Sequence, residues 1–250
     1  MTEENIFNEM LSRLCVCYRR GSFLYGTYVE GISDDDYIVV VGDIYKDFLS
    51  QYPRGIFQGT ETETVKLIEP DCFGYNEDRI INRDYEFVCE SDFIKMIEDN
   101  DIVALEAIFL PENLAYGAAT LYREYFNHFK LDLWKLRENV SHICSNSWVK
   151  CKKKLTVEKD YNLRIAQKSL FHSLRIYMFG IQIAEQDKIV DYQCAKDLWK
   201  EIENVENPTW EYYKEKYQPM FSSLRSRLVE LCPKPEEKFK DKKVANVDEK

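Results

Sequence analysis

The 250 residues are 45% hydrophobic and 14% aromatic, enough to bury a substantial core. A formal charge of −10 argues against a protein that coats nucleic acid nonspecifically, because phosphate neutralisation supplies most binding of that kind. No apolar run approaches the roughly 18 to 20 residues of a bilayer span. No N-terminal signal pattern is present, and the eight cysteines and three histidines show no zinc-ligand spacing, so a cytoplasmic protein with free thiols and no membrane partner is expected.

In chain order, Thr2 with Glu3 and Glu4 starts a helix whose stripe is Ile6, Phe7, Met10, Leu11 and Leu14. Cys15 to Tyr18 reads as a first strand, and the turn at Gly21-Ser22 opens a short helical stretch. Tyr37 to Val41 is the next strand, followed by a helix around Tyr45 to Ser50, stopped by Pro53, and a strand from Thr64 to Ile68. Pro70 to Asn82 is a loop, and Tyr85 to Cys89 another strand, with Ser91 as N-cap of a helix carrying Phe93, Ile94 and Ile97. From about Pro111 the period is helical throughout. Leu121, Tyr125, Phe126, Phe129 and Leu133 form one stripe, and Leu163, Ala166, Leu170, Leu174, Met178 and Ile181 another. Helices around Tyr192 to Ile202 and from Trp210 to Leu231 follow. Pro233 to Lys250 is charged, nearly devoid of apolar residues, and reads as a disordered tail. The expected fold is α/β (α+β): a domain over 1–110 with a small mixed β-sheet, an all-α lobe over 111–232 and the tail over 233–250.

One stretch reads as a chemical device, Gly21 to Val41. The Arg-free Gly-Ser turn can converge backbone N–H groups and the Ser22 hydroxyl on a phosphate. Asp34 and Asp36 fall two apart at the head of a strand, which puts both carboxylates on one face. Two anions beside a phosphate-binding turn call for a hard divalent ion, magnesium first. An EF-hand is excluded, because counting from Asp34 puts Ile38 at the fifth loop position and Val39 at the sixth. Farther on, Lys168, His172 and Arg175 stand at i, i+4 and i+7 and share a helix face. The run Lys150, Lys152, Lys153 and Lys154 is read as a solvated helix end, with contact to substrate phosphates as the other reading.

Gly21-Ser22, Tyr25-Gly26-Thr27 and Ser33-Asp34-x-Asp36 resemble the signature of the polymerase-beta-type nucleotidyltransferase superfamily. Within it the chain is most similar to the RNA-repair-associated bacterial and phage nucleotidyltransferases, through Asp84, Glu86, Phe93, Ile97, Leu105, Glu106 and Phe109, although Asp101-Ile102 stands where Asn-Pro is usual. The resemblance implies nucleotidyl transfer from an NTP to a hydroxyl, RNA or tRNA foremost. It also implies two magnesium or manganese ions held by Asp34, Asp36 and a third carboxylate on the next acidic strand. Glu86 is preferred for that third ligand, since Tyr85 and Phe87 on either side should face the core; Asp84 shares its face but sits at the strand entrance, where solvation would explain it, and is the runner-up. Gly21 and Ser22, with Lys168, His172 and Arg175 as a cationic stripe, would then bind the nucleotide. Glu106 is open between orienting the site and a structural ion pair. Two alternatives stand: a toxin or effector of the same fold that modifies protein or a small molecule, and a silent nucleotide-binding module.

Overall fold

A computed structural model describes residues 6, 9–10, 13–29, 33, 35–50, 56–59, 83–111, 114–117 and 119–235. The expected strand at Thr64 to Ile68, the loop from Pro70 to Asn82, most of the N-terminal helix, Asp34 and the tail beyond Pro235 lie outside these residues. The fold is of mixed α and β class, with the sheet toward the N-terminus and helices after it. By compactness the chain divides into a unit of 1–98 with 103–130 and a unit of 99–102 with 131–250.

The first unit is built on five strands: β1 (Leu14–Arg20), β2 (Asp35–Val41), β3 (Ile56–Gly59), β4 (Arg83–Cys89) and β5 (Ala115–Gly117). Their order is β3-β4-β2-β1-β5, with β2 and β4 parallel and the other pairs antiparallel. Alternation along the strands gives the sheet two faces. Cys17, Tyr37, Val39, Val41, Tyr85 and Phe87 bury one face with Met10 and Tyr45, and Tyr37 stacks on Tyr85 at 5.5 Å between ring centroids. On the other face Val16, Tyr18, Ile38 and Val40 are buried, and Tyr18 stacks on Phe93 of the helix Glu90–Glu98. Phe93 in turn meets Tyr125 edge-on.

Three local expectations are corrected. The helix after β4 begins at Glu90, and Ser91 is not its cap: its backbone N–H donates to Asp43 Oδ1 at 3.1 Å, while its hydroxyl accepts from Lys46. The segment after Pro111 is not helical throughout, because β5 adds an edge strand beside β1. The stripe from Leu121 to Leu133 is broken between the helices Ala119–Asn127 and Leu133–Thr156, leaving Phe126 46% exposed.

The second unit is helical: Leu133–Thr156, Leu163–Gln186, Lys196–Glu203 and Trp210–Leu231. Side-chain caps start three of them. Asp132 accepts from Trp134 N and Lys135 N, Asn162 from Ile165 N, and Thr209 from Tyr212 N, each satisfying an N–H with no partner inside the helix. Asp187 ends the second in the left-handed region, φ 59°. Trp148 packs on Trp210 and Phe221, and Phe221 meets Tyr177 edge-on.

Gly180 marks a close helix contact. A Cβ there would lie 2.9 Å from Val140 Cγ2 and 3.1 Å from Cγ1, on a β-branched side chain with little rotamer freedom. Gly180→Ala is therefore expected to lower stability despite its better helix propensity: overpacking costs about 1–3 kcal/mol, against a gain of about 1 kcal/mol. The denaturant midpoint measures it.

Candidate active site

The dipeptides Arg19-Arg20 and Asp35-Asp36 divide their charges between the two faces of the sheet, since neighbouring side chains of a strand point opposite ways. On the apolar face Arg19 Nη2 donates to Asp35 Oδ1 at 2.6 Å, with the side chains 11% and 5% exposed. The Arg19 guanidinium also lies over the Phe23 ring at 3.5 Å. Removing one partner from a pair so deeply buried costs about 3–5 kcal/mol.

On the opposite face Arg20, Asp36 and Asp84 are successive register partners across β1, β2 and β4. Glu86 lies one pleat along β4, and its Oε2 accepts from Arg20 Nη1 at 2.6 Å. These two side chains are 30% and 32% exposed, and an ion pair that accessible contributes roughly 0–1 kcal/mol. Burial opposes the charge on Arg20, but Tyr25, Glu86, Glu106 and Asp36 surround it and together raise its pKa. The same sheet thus carries two arginine–carboxylate pairs, one fixed in the core and one partly open to solvent.

Gly21 carries the chain out of β1 with φ +75°, a conformation costly to any residue with a Cβ. A Cβ at Gly21 would stand 1.9 Å from Asp36 Oδ2 and 2.7 Å from its Cγ. The carboxylate therefore occupies the space that the glycine leaves. The turn closes through Leu24 N–H to the Gly21 carbonyl at 3.1 Å and Thr27 N–H to the Ser22 carbonyl at 3.0 Å. Ser22 is half-buried at its head. Tyr25 donates from its hydroxyl to Glu106 Oε2 at 2.6 Å, both side chains being buried. Glu106, on the helix Ile102–Ile108, thus anchors the turn.

Of the residues expected at the site, Gly21, Ser22, Asp36, Asp84 and Glu86 come together at the ends of β1, β2 and β4. Asp34 is outside the described residues. Tyr85 and Phe87 face the core as expected, at 1% and 4% exposure, while Asp84 and Glu86 are half-exposed. Among the described residues no three His, Cys, Asp or Glu side chains are gathered to hold a metal ion. What is gathered fits a hard divalent cation in kind: two carboxylates side by side in parallel register, one seated in the gap of a glycine.

Lys168, His172 and Arg175 lie on the helix Leu163–Gln186 of the second unit and do not form one open face. Lys168 is exposed, His172 half-buried, and Arg175 only 1% exposed. Arg175 stands 4.7 Å from the Phe179 ring centroid and donates from Nη2 to His172 Nδ1 at 3.0 Å. Because a guanidinium cannot accept, Nδ1 is the unprotonated nitrogen and His172 is the Nε2–H tautomer. The expectation of Arg175 as an open phosphate clamp is corrected on this point: its charge is spent inside the unit. The lysine run divides too. Lys153 and Lys154 both pair with Asp160, which lowers the Asp160 pKa, while Lys150 and Lys152 are exposed. Thiol chemistry has little support: burial raises the pKa of Cys17 and Cys144 and pushes Cys89 up to about 11.

Arg20 and Tyr25 are the residues that sequence reasoning missed as site components. Arg20 stands one residue before the Gly-Ser turn. Its adjacency to Gly21 at the end of a strand was the available signal. Gly21→Ala is expected to push Asp36 out of place and to lower stability by about 1–2 kcal/mol for the backbone alone. A melting curve measures the loss, and a crystal structure of the variant should show the displaced carboxylate.

No family model and no curated protein matches the chain. Among solved structures it is similar to an aminoglycoside 6-adenyltransferase from Bacillus subtilis, at 11% identity and a TM-score of 0.28, over 98% of this chain and 97% of that one. A likeness this slight specifies neither fold nor activity.

Proposed function

We propose that this chain is a nucleotidyltransferase of the polymerase-beta type, moving a nucleoside monophosphate from an NTP to a hydroxyl acceptor with release of pyrophosphate. The observation that carries the reading is the packing of Gly21, in its left-handed turn, onto an Asp36 that neighbours Asp84 across two parallel strands. Asp36 and Asp84, with Asp34 by its spacing, would hold the divalent ions. Such ions, when bound, screen the triphosphate and lower the pKa of the attacking hydroxyl. Ser22 is placed by the reading on a distal phosphate. Tyr25 and Glu106 hold the turn that presents it, and Glu86 is engaged by Arg20.

For the third carboxylate we prefer Asp84 to Glu86, with the register in support. Asp84 is the direct neighbour of Asp36, whereas Glu86 pairs with Ile38 in the ladder and with Arg20 through its side chain. RNA or tRNA is the acceptor carried forward, on the likeness of Asp84 to Phe109 to the RNA-repair group. Labelled NTPs supplied one at a time with magnesium or manganese and total RNA test donor and acceptor together; no transfer from any NTP to RNA, protein or small molecules would overturn the reading.

Asp36→Ala and Asp84→Ala should each lose transfer by orders of magnitude while keeping or raising the melting temperature, since removing one of two neighbouring carboxylates relieves repulsion. Glu86→Ala should lose less. Of the cationic stripe, Lys168 is exposed, His172 half-buried and Arg175 buried. Lys168→Glu is expected to weaken NTP binding, measured by calorimetry with a non-hydrolysable analogue, more than Lys240→Glu does in the tail. Parent-like affinity in the Lys168 variant removes it from the site.

A further inference from the structure

We infer that Arg20 is an exchangeable internal cation of the carboxylate site, balancing Asp36, Asp84 and Glu86 in the free protein and turning from Glu86 to the NTP triphosphate when divalent ions take Asp36 and Asp84. The inference rests on the nucleotidyl-transfer reading and adds to it a phosphate-binding residue and a competition between arginine and metal.

Three observations support it. Arg20 is in the same cross-strand row as Asp36 and Asp84, so its guanidinium is on the face where the anions collect, and it reaches Glu86 Oε2 at 2.6 Å. Its access to solvent is the second. Arg19 is locked to Asp35 at 11% and 5% exposure, but Arg20 and Glu86 retain 30% and 32%. A half-exposed pair, unlike a buried one, can be exchanged for a stronger partner at little cost. Position is the third: Arg20 immediately precedes Gly21, so a phosphate resting on the Gly-Ser turn is adjacent to it along the chain. A guanidinium fork suits two phosphate oxygens as well as it suits one carboxylate. Glu106, fixed by Tyr25, adds a negative charge that keeps the arginine near the turn after it leaves Glu86.

The test uses the full chain, with Mn²⁺ binding followed by electron paramagnetic resonance in the absence of nucleotide. Arg20→Gln removes the competing charge while keeping a donor for Glu86, and should bind Mn²⁺ at least about fivefold more tightly than the parent. The same variant should bind a non-hydrolysable NTP analogue with Mn²⁺ about tenfold more weakly, the loss of one charge-assisted contact. Arg20→Lys keeps the charge and should leave Mn²⁺ affinity near the parent's, yet weaken the analogue severalfold through loss of the fork. It carries the test if Arg20→Gln does not fold. Unchanged or weaker Mn²⁺ binding in Arg20→Gln, or parent-like analogue affinity in either variant, overturns the inference. Asp36→Asn separates this from failure of the underlying reading. If parental Mn²⁺ binding depends on Asp36 but not on Arg20, only the exchange falls. If the parent binds no Mn²⁺, or binds it independently of Asp36, both fall.

Discussion

The register between β1 and β2 is the constraint on which the site depends. Arg19 and Asp35 meet on the apolar face of the sheet, and that meeting leaves Arg20 and Asp36 no place but the opposite face. A slip of one residue would put Asp36 into a layer of Tyr37, Tyr85 and Phe87 neighbours and would part Arg19 from Asp35. Burying one ion pair is an expensive way to hold a strand, but it penalises the wrong register more than apolar packing alone would. Two adjacent arginines thus have different tasks, decided by the face each occupies.

The helical unit solves a different problem, that of starting and ending long helices without tertiary help at every turn. Asp132, Asn162 and Thr209 satisfy N-terminal donors, and Asn100 accepts from Asp132 N, tying the first cap to the loop before it. Arg175 is the unit's least ordinary member, a cation held among Phe171, Phe179 and His172. Its burial accounts for why a spacing of i, i+4 and i+7 failed to make a common surface. Positions i and i+7 differ by only about 20° around the axis, so rotation does not separate Lys168 from Arg175; the helix is buried nearly all round from Ser169 to Tyr177, with His172 the exception.

Much of the sheet was legible because period-two alternation survives in β2 and β4: the aromatic residues at 85 and 87 mark the buried face, and the acids at 84 and 86 follow on the other. The long helix from Trp210 to Leu231 was legible from end to end, through Pro219. What could not be read was pairing. Nothing local says that β4 lies parallel to β2 with Asp84 opposite Asp36, and that register is absent from any one segment. β5 was missed because three residues carry too little pattern to compete with the helices around them. The Gly-Ser turn was recognised by type, but its reason, a carboxylate lying where a methyl group would be, exists only in three dimensions.

The lengths of the strands carry one more consequence. Among the described residues the three seven-residue strands, β1, β2 and β4, are all interior, and the sheet is bounded by β3 with four residues and β5 with three. The most apolar of them, β2, is paired along its length with β1 on one side and β4 on the other, while β5 covers β1 at 16–18 and β3 covers β4 at 83–86. The segment best suited to template another chain, Tyr37 and Ile38 followed by three valines, thus lies at the centre of the described sheet, where neither of its hydrogen-bonding sides is on offer.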